Sequence, residues 1–438
     1  MITHFLRRGL STALCAMAAT MASAAGQASF HPIAYMDRFG QAVGISEGSP
    51  GVFYFETGLA AAALSITAQG TKTVLATFAA GTNFSSTLIS GDDGRFYSAV
   101  EIGVRPASFF SIGPAAGSQQ VHSSPDLVPS LRQNLPDGTF LGLALAASGG
   151  PWQLAKIDRN GRLTPLYQFP AGERAQNVIY ASDGNYYGIS ENGPGYLFRL
   201  TASGALTKPL TFPDRTVAGL NAAPLLQGSD GNLYGATPSG GTNSTGTIYR
   251  LTPAGQYTLL YAFPKDQNSW PTTLIEASDG NLYGATLGSI PRGGRSELFR
   301  VTRTGGFTVL YVMKNLSADG VCQCSLVQGS DGNIYGTAVS GGPANGGVVF
   351  VLNAGLPKPV PVARHFNPQS GLAGTPVRIW GDHLLGATVR FDGLAATESS
   401  NSGPNYIWAK VPRGAGTGPI TITTPGGTVT THASFTVE

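Results

Sequence analysis

The chain is short of charge. Only 12% of its 438 residues are Asp, Glu, Lys or Arg, and 27 basic against 24 acidic residues leave a formal net charge of +3. That is about half the usual charged fraction. It argues against a nucleic-acid binder, which concentrates Lys and Arg to displace counterions from phosphates. Cysteine is scarce, with Cys15, Cys322 and Cys324 alone. Uninterrupted helical stretches are lacking too, because 60 Gly and 29 Pro would break helices every few residues. An apolar content of 42% nevertheless excludes a disordered chain. What remains is a turn-rich, mostly β protein, too long for one ordinary core unless it is built from repeats.

The N-terminus is set apart first. Arg7 and Arg8 precede an apolar stretch from Gly9 to Ala22, and Ala22-Ser23-Ala24 forms a small-x-small site. Residues 1–24 therefore read as a secretory signal peptide. The stretch is too short for a span, which needs about 20 residues, and no later segment is apolar enough to provide one. The expectation is an exported chain, extracellular, on the cell surface or in the periplasm, without a membrane span.

Against this background one motif recurs. Gly228-Ser-Asp-Gly-Asn-Leu-Tyr-Gly-Ala-Thr237 returns as Ala277-Ser-Asp-Gly-Asn-Leu-Tyr-Gly-Ala-Thr286, as Gly329-Ser-Asp-Gly-Asn-Ile-Tyr-Gly-Thr337 and as Ala181-Ser-Asp-Gly-Asn-Tyr-Tyr-Gly188. Weaker copies stand at Asp93-Gly94, at Asp137-Gly138 and from Gly40 to Gly51. The anchor glycines Gly40, Gly94, Gly138, Gly184, Gly231, Gly280 and Gly332 give a period of roughly 47 residues, the signature of a repeat architecture. Each unit holds four short alternating runs. In the fifth these are Pro224 to Gln227, Asn232 to Thr237, Thr247 to Leu251 and Tyr257 to Phe263. Asp-Gly between the first two suggests a two-residue hairpin turn, since glycine accepts the positive φ that primed turns demand. The Asp is read as a turn former rather than a calcium ligand, because a calcium loop wants several carboxylates at alternate positions. Four strands per unit, seven times over residues 25–356, predict an all-β, seven-bladed β-propeller. A clear fourth strand is missing after Leu352.

The pattern S-D-G-N-[LI]-Y-G-[AT], followed about 20 residues later by L-T-P-x-G, resembles the GloVer tandem repeat of bacterial exported proteins. The strong copies cover about Ile179 to Leu352. The resemblance implies an exported repeat protein and no particular chemistry.

Pro357-Lys-Pro-Val-Pro361 reads as a stiff extended linker over 357–361. Beyond it, residues 362–438 alternate in about seven strand-like blocks, as a small β-sandwich would. Gly374-Thr-Pro-Val-Arg-Ile379-Trp-Gly381, Val389-Arg-Phe391-Asp-Gly393, Val411-Pro412 and Ile420-Thr-Ile-Thr-Thr424 carry a pattern similar to the IPT/TIG immunoglobulin-like domain. His383-Leu384 stands where that family usually has an aromatic. The resemblance implies a spacer or binding module.

Chemistry-bearing constellations are thin. His31 and His122 have no metal-ligand neighbours at useful spacing, and no nucleophile-elbow motif occurs. No metal, cofactor or catalytic residue is therefore assigned. Cys322 and Cys324 are disulfide candidates, although so small a loop strains the preferred geometry. The loops joining second to third and fourth to first strands vary between copies, and variable loops on a rigid scaffold are where recognition usually lives. They carry Trp270, Arg292, Arg295, Arg215 and Asp266 as ligand-binding candidates, with Asp214, Lys265 and Arg174 nearby in sequence. The expected function is a monomeric, non-catalytic protein binding a glycan or protein ligand. Two alternatives stand beside it: a lyase-like propeller enzyme acting at a central channel on a polysaccharide or small molecule, and a structural spacer of the cell envelope.

Overall fold

The recurring motif folds as a self-contained hydrogen-bond clamp. At Asp230, Oδ1 accepts from the Asn232 backbone N–H at 3.1 Å, while Oδ2 accepts from Asn232 Nδ2 at 2.9 Å and from the Tyr234 hydroxyl at 2.7 Å. The same three donors serve Asp183, Asp279 and Asp331. The turn differs from the two-residue hairpin expected. Gly231 N–H donates to Gly228 O at 2.9 Å and Gly228 N–H to Asn232 O at 2.8 Å, and only Gly231, at φ 80°, takes positive φ. This is a three-residue loop with glycine in its left-handed position. The Asp carboxylate, bonded two residues ahead, stabilises the longer turn. Burial acts to raise Asp183 and Asp230, yet the donors from Asn and Tyr outweigh it and hold both carboxyls below the usual range.

The computed structural model describes residues 28–438 apart from 38–40, 59–61, 79–81, 85–87, 103–104, 116, 118–119, 124–126, 147–149, 174, 191–194, 213–222, 239, 242, 266–269, 288–294, 314–318, 322–323 and 402. The expected signal peptide, 1–24, lies outside the described residues. Among those described there is no helix, hence none long and apolar enough to cross a membrane. Six antiparallel sheets follow one another over 42–77, 82–123, 127–168, 175–211, 226–262 and 271–312. Each has four strands in sequence order, except that two short segments, Thr82–Phe84 and Ile89–Ser90, share the edge of Phe96–Ile102. A seventh sheet takes Ser325–Gln328, Ile334–Ala338 and Val348–Asn353 from the end of the repeat and Ser29–Tyr35 from its beginning. Phe30 lies opposite Leu352 and Tyr35 opposite Val348. The fourth strand missing from the last repeat is thus Ser29–Tyr35, the first strand among the described residues.

Neighbouring sheets meet through their inner strands, each of which leads into the turn before a buried second strand. Ala42–Ser49 touches Ile89–Ser90 on one side and Ser325–Gln328 on the other, so the circuit of contacts returns to its start. Second strands are buried throughout, as in Leu233–Thr237 and Leu282–Thr286, whereas outer strands such as Tyr257–Ala262 are half-buried. The motif's second glycine has a packing cause: a Cβ on Gly235 would lie 2.3 Å from the Tyr249 hydroxyl, and one on Gly284 would lie 2.4 Å from Phe299. An aromatic of the third strand occupies the space a side chain would need. Apolar clusters straddle neighbouring sheets, one joining Tyr187 and Leu197 to Leu233 and Tyr249.

Residues 362–437 form two more sheets. Val362–Asn367, Pro376–Asp382, Tyr406–Lys410 and Ser399–Asn401 make one; Gly418–Thr424, Gly427–Val437, Thr388–Phe391 and two short segments make the other. Val377, Ile379, Phe391, Ile407, Ile420 and Phe435 pack in a separate core.

The clamp sets a dependence on alkaline pH. Burial, then the hydrogen bond and charge of Asp230, push the Tyr234 hydroxyl from 10.0 up to about 12. A folded-state value above the unfolded one means that this stabilisation is complete below pH 10 and is lost as the pH rises towards 12. Tyrosinate absorbance and strand circular dichroism should therefore change together in that window. Tyr234→Phe should cost about 1 kcal/mol at neutral pH and reduce the alkaline slope. Tyrosinate forming near pH 10 with the strand signal intact would contradict the clamp.

Candidate functional site

At the ends of four inner strands an acidic or amide side chain reaches the Asp-Gly turn of a neighbouring sheet. Glu276 Oε2 accepts from Ser229 N–H at 2.7 Å and its Oε1 from Ser229 Oγ at 2.8 Å. Gln328 Oε1 accepts from Ser278 N–H, and Gln227 Oε1 from Ser182 N–H, both at 2.8 Å. Glu47 Oε2 accepts from Ser330 N–H and Oε1 from Ser330 Oγ, both at 2.8 Å, joining the first sheet to the last. Burial pushes the Glu47 carboxyl up although Gly51 and Ser330 donate to it. Arg303 also pairs with Glu276. These clasps explain the serine of the motif, whose N–H is donated across a sheet boundary at Ser182, Ser229, Ser278 and Ser330, joined by the hydroxyl at Ser229 and Ser330.

The C-terminal sandwich sits on this same face. Tyr406 Oη donates to Leu135 O at 2.5 Å, Trp408 Nε1 to Asp92 O at 2.9 Å and Arg378 Nη2 to Pro136 O at 2.8 Å. Asp92, whose side chain is 1% exposed, receives both Arg378 and Arg159. The proline segment is docked rather than free, since Ser278 Oγ donates to Pro357 O at 2.6 Å and Gln328 Nε2 to the same oxygen at 3.3 Å.

Between the ring of clasps and the sandwich lies a chamber of about 600 Å³. Its repeat-side wall includes Tyr180, Glu276 and Gln328; its sandwich-side wall includes Val362, Trp380 and His383. The volume falls within the range of small-molecule sites. Trp380 is 5% exposed, and its ring lies 6.2 Å from that of Tyr180, with the Arg364 guanidinium 5.9 Å from its centroid. Arg364 Nε donates to Asp382 Oδ2 at 2.7 Å, and Nη2 lies 2.6 Å from the same oxygen. His383 takes φ 54°, and burial pushes its imidazole down towards the neutral form despite the nearby Asp382 carboxylate.

The residues nominated from sequence lie elsewhere. Trp270, 51% exposed, precedes the strand Pro271–Glu276, and Glu276 at its far end lines the chamber. Six residues of strand place Trp270 about 20 Å away, on the opposite face. Arg295 is exposed just before Glu297–Val301, in the loop that follows a second strand. Arg215, Asp266 and Arg292 lie outside the described residues. Cys324 is buried and disulfide-bonded, while Cys322 lies outside the described residues. Trp380, His383, Asp382 and Arg364 were not singled out as site residues, because nothing in their local sequence tells which face of the repeat the sandwich covers. The signal that was present is the acidic or amide residue two places before three of the four Ser-Asp-Gly copies, at Gln227, Glu276 and Gln328.

The Gloeobacter/Verrucomicrobia repeat family matches residues 129–350. The chain belongs to that family. No curated protein matches it in sequence. Its fold is similar to a streptogramin B lyase structure, with a TM-score of 0.58 at 16% identity over 76% of this chain and 99% of the other. It is also similar to a catalytically inactive virginiamycin B lyase from Staphylococcus aureus with quinupristin, at TM-score 0.56 and 15% identity over 74% and 99% of the two chains. A fungal alcohol oxidase in complex with copper reaches TM-score 0.52 at 13% identity over 94% of this chain and 100% of its own. At these identities the likeness is one of fold, and this repeat protein is a propeller-fold, all-β chain.

The buried Asp92 is the point at which the sandwich is most easily released. Asp92→Ala leaves Arg378 and Arg159 facing a partly buried site without their counter-charge, which should cost about 3 kcal/mol. Limited proteolysis should then cut the 357–361 segment faster than in the parent protein. Unchanged cleavage and thermal midpoint would show that the pair does not hold the sandwich in place.

Proposed function

We propose that this protein is an exported, non-catalytic binding protein, a seven-bladed β-propeller with an immunoglobulin-like C-terminal domain of the IPT/TIG kind, and that it holds its ligand in the chamber between the two. The observation that carries this reading is the chamber itself, walled on one side by the inner strands and on the other by the sandwich. Binding is favoured over acid–base catalysis because the lining carboxylates are already engaged. Glu47 is held by Ser330 and Gly51, Glu276 by Ser229 and Arg303, and Asp382 by Arg364. A lyase-like role would borrow from the streptogramin B lyase fold alone, and likeness of fold does not carry activity. Export is supported by the charged, apolar and small-residue order of residues 1–24.

The test is a small-molecule thermal-shift screen run in parallel on the parent protein, Val362→Trp and Trp270→Ala. Compounds that stabilise the parent by mass action should fail to stabilise Val362→Trp, whose indole fills the chamber, and should stabilise Trp270→Ala as before. They should also be recovered chemically unchanged. Stabilisation that depends on Trp270 would move recognition to the loop face, and conversion of the compound would make the protein an enzyme.

A further inference from the structure

We propose that the boundary between the first sheet, 42–77, and the second, 82–123, is where the ring opens, and that a proton held on Glu56 keeps it shut. Glu56 lies on the buried second strand Val52–Thr57 and is 1% exposed, and neither of its carboxyl oxygens has a hydrogen-bond partner. Alternation along the strand sets the direction of its side chain. Phe53 and Phe55 pack towards the last sheet with Tyr335, so Tyr54 and Glu56 face the second sheet, where Tyr54 stacks on Phe96 at 4.2 Å between ring centres. A carboxylate sealed between apolar faces without a partner is costly, and it takes up a proton instead. Burial accordingly pushes the Glu56 carboxyl well above its ordinary 4.5, opposed only by the nearby Ser98 hydroxyl. The ionisable side chains described on the surrounding strands are engaged elsewhere: Glu47 with Ser330, Lys72 with Tyr35 O and Tyr97 with Asp93. Glu101 and Arg105 lie outside the described side chains.

This boundary is also built differently from the others. Four boundaries are clasped by Glu47, Gln227, Glu276 and Gln328, and at two more Gln133 accepts from Tyr180 N–H and Asn134 donates to Ser90 O. At the matching position the second sheet carries Ser90, whose hydroxyl turns to Asn405 of the sandwich at 3.4 Å instead of to the first sheet. The inner segment before the turn is shortened to Ile89–Ser90. Gly117 N–H does donate to Leu75 O at 2.9 Å across the boundary, at the outer strand of the first sheet. Deeper in, the two sheets are held by the packing of Tyr54, Ala63, Leu88 and Phe96. A charge formed on Glu56 therefore works against apolar packing and gains hydration when the sheets part. Ser46 and Glu47, on the inner strand of the first sheet, line the chamber, so parting here loosens the chamber wall as well.

The pH dependence has a definite sign. A folded-state value above the unfolded one makes this stabilisation complete below about pH 4.5 and lost as the pH rises through the folded-state value. Amide exchange of the full chain between pH 5 and 9, each rate divided by the intrinsic rate at that pH, reads the opening directly. Protection of Phe53–Thr57 and Phe96–Val100 should fall about tenfold per pH unit until the folded-state value is passed, one proton being linked to opening, and should drop below that of Leu233–Thr237. Glu56→Gln, which cannot ionise, should abolish the slope and raise protection of these two strands at least tenfold at pH 8. The slope and its location are read on the parent protein even if Glu56→Gln folds poorly. Protection independent of pH in the parent, a slope unchanged in a folded Glu56→Gln, or boundary strands as protected as Leu233–Thr237 throughout would overturn the proposal.

Discussion

Everything in this molecule depends on closing a linear repeat into a circle. Each sheet leaves an inner strand and an apolar face that only a neighbour can cover, so an open array would expose both ends. Closure is achieved twice over at one seam. Ser29–Tyr35 completes the last sheet by pairing with Val348–Asn353, and Glu47 clasps Ser330 across the same boundary. The seam also recruits apolar packing, with Phe53 stacked on Tyr335 at 3.9 Å between ring centres. The first and last repeats thereby acquire the neighbours that every other repeat gains from chain order.

The repeated motif supplies the rest of the geometry. Asp fixes the turn through Asn and Tyr, Ser donates across the sheet boundary, and Gly makes room for the aromatic of the third strand. One short segment thus shapes a turn, links two sheets and sets the spacing between strands. Because the clasps lie at one end of the inner strands, they build a polar ring at that end, on which the C-terminal sandwich rests. The chamber is a consequence of that docking, since neither the ring nor the sandwich encloses it alone.

The sequence made the repeat legible because its residues are local. The Asp-Gly turn, the alternation of Leu233 to Thr237 and the aromatic third strands all act within a few positions of one another. The missing strand after Leu352 was visible as a gap, but its filler lay some 320 residues away, at the other end of the chain. The turn was read as one residue too short, because the Asp230 carboxylate and its partners act through side chains that a dipeptide rule does not see. Trp270 and Arg295, nominated from the variable loops, stand on the other side of the sheets from the chamber. Trp380 and His383 acquire their surroundings only when Arg378, Tyr406 and Trp408 seat the sandwich against Asp92 and Leu135, contacts no periodic pattern encodes.

Circular closure is the claim on which the account stands, and hydrogen exchange tests it most directly. Amide protection would be followed residue by residue in the protein and in a version lacking residues 28–35. The account predicts that removing this one strand lowers protection around the whole ring, reaching Phe53 and Phe55 of the first sheet and Leu233 to Thr237 on the far side. Loss of protection confined to Val348–Asn353, with the other sheets unaffected, would contradict it.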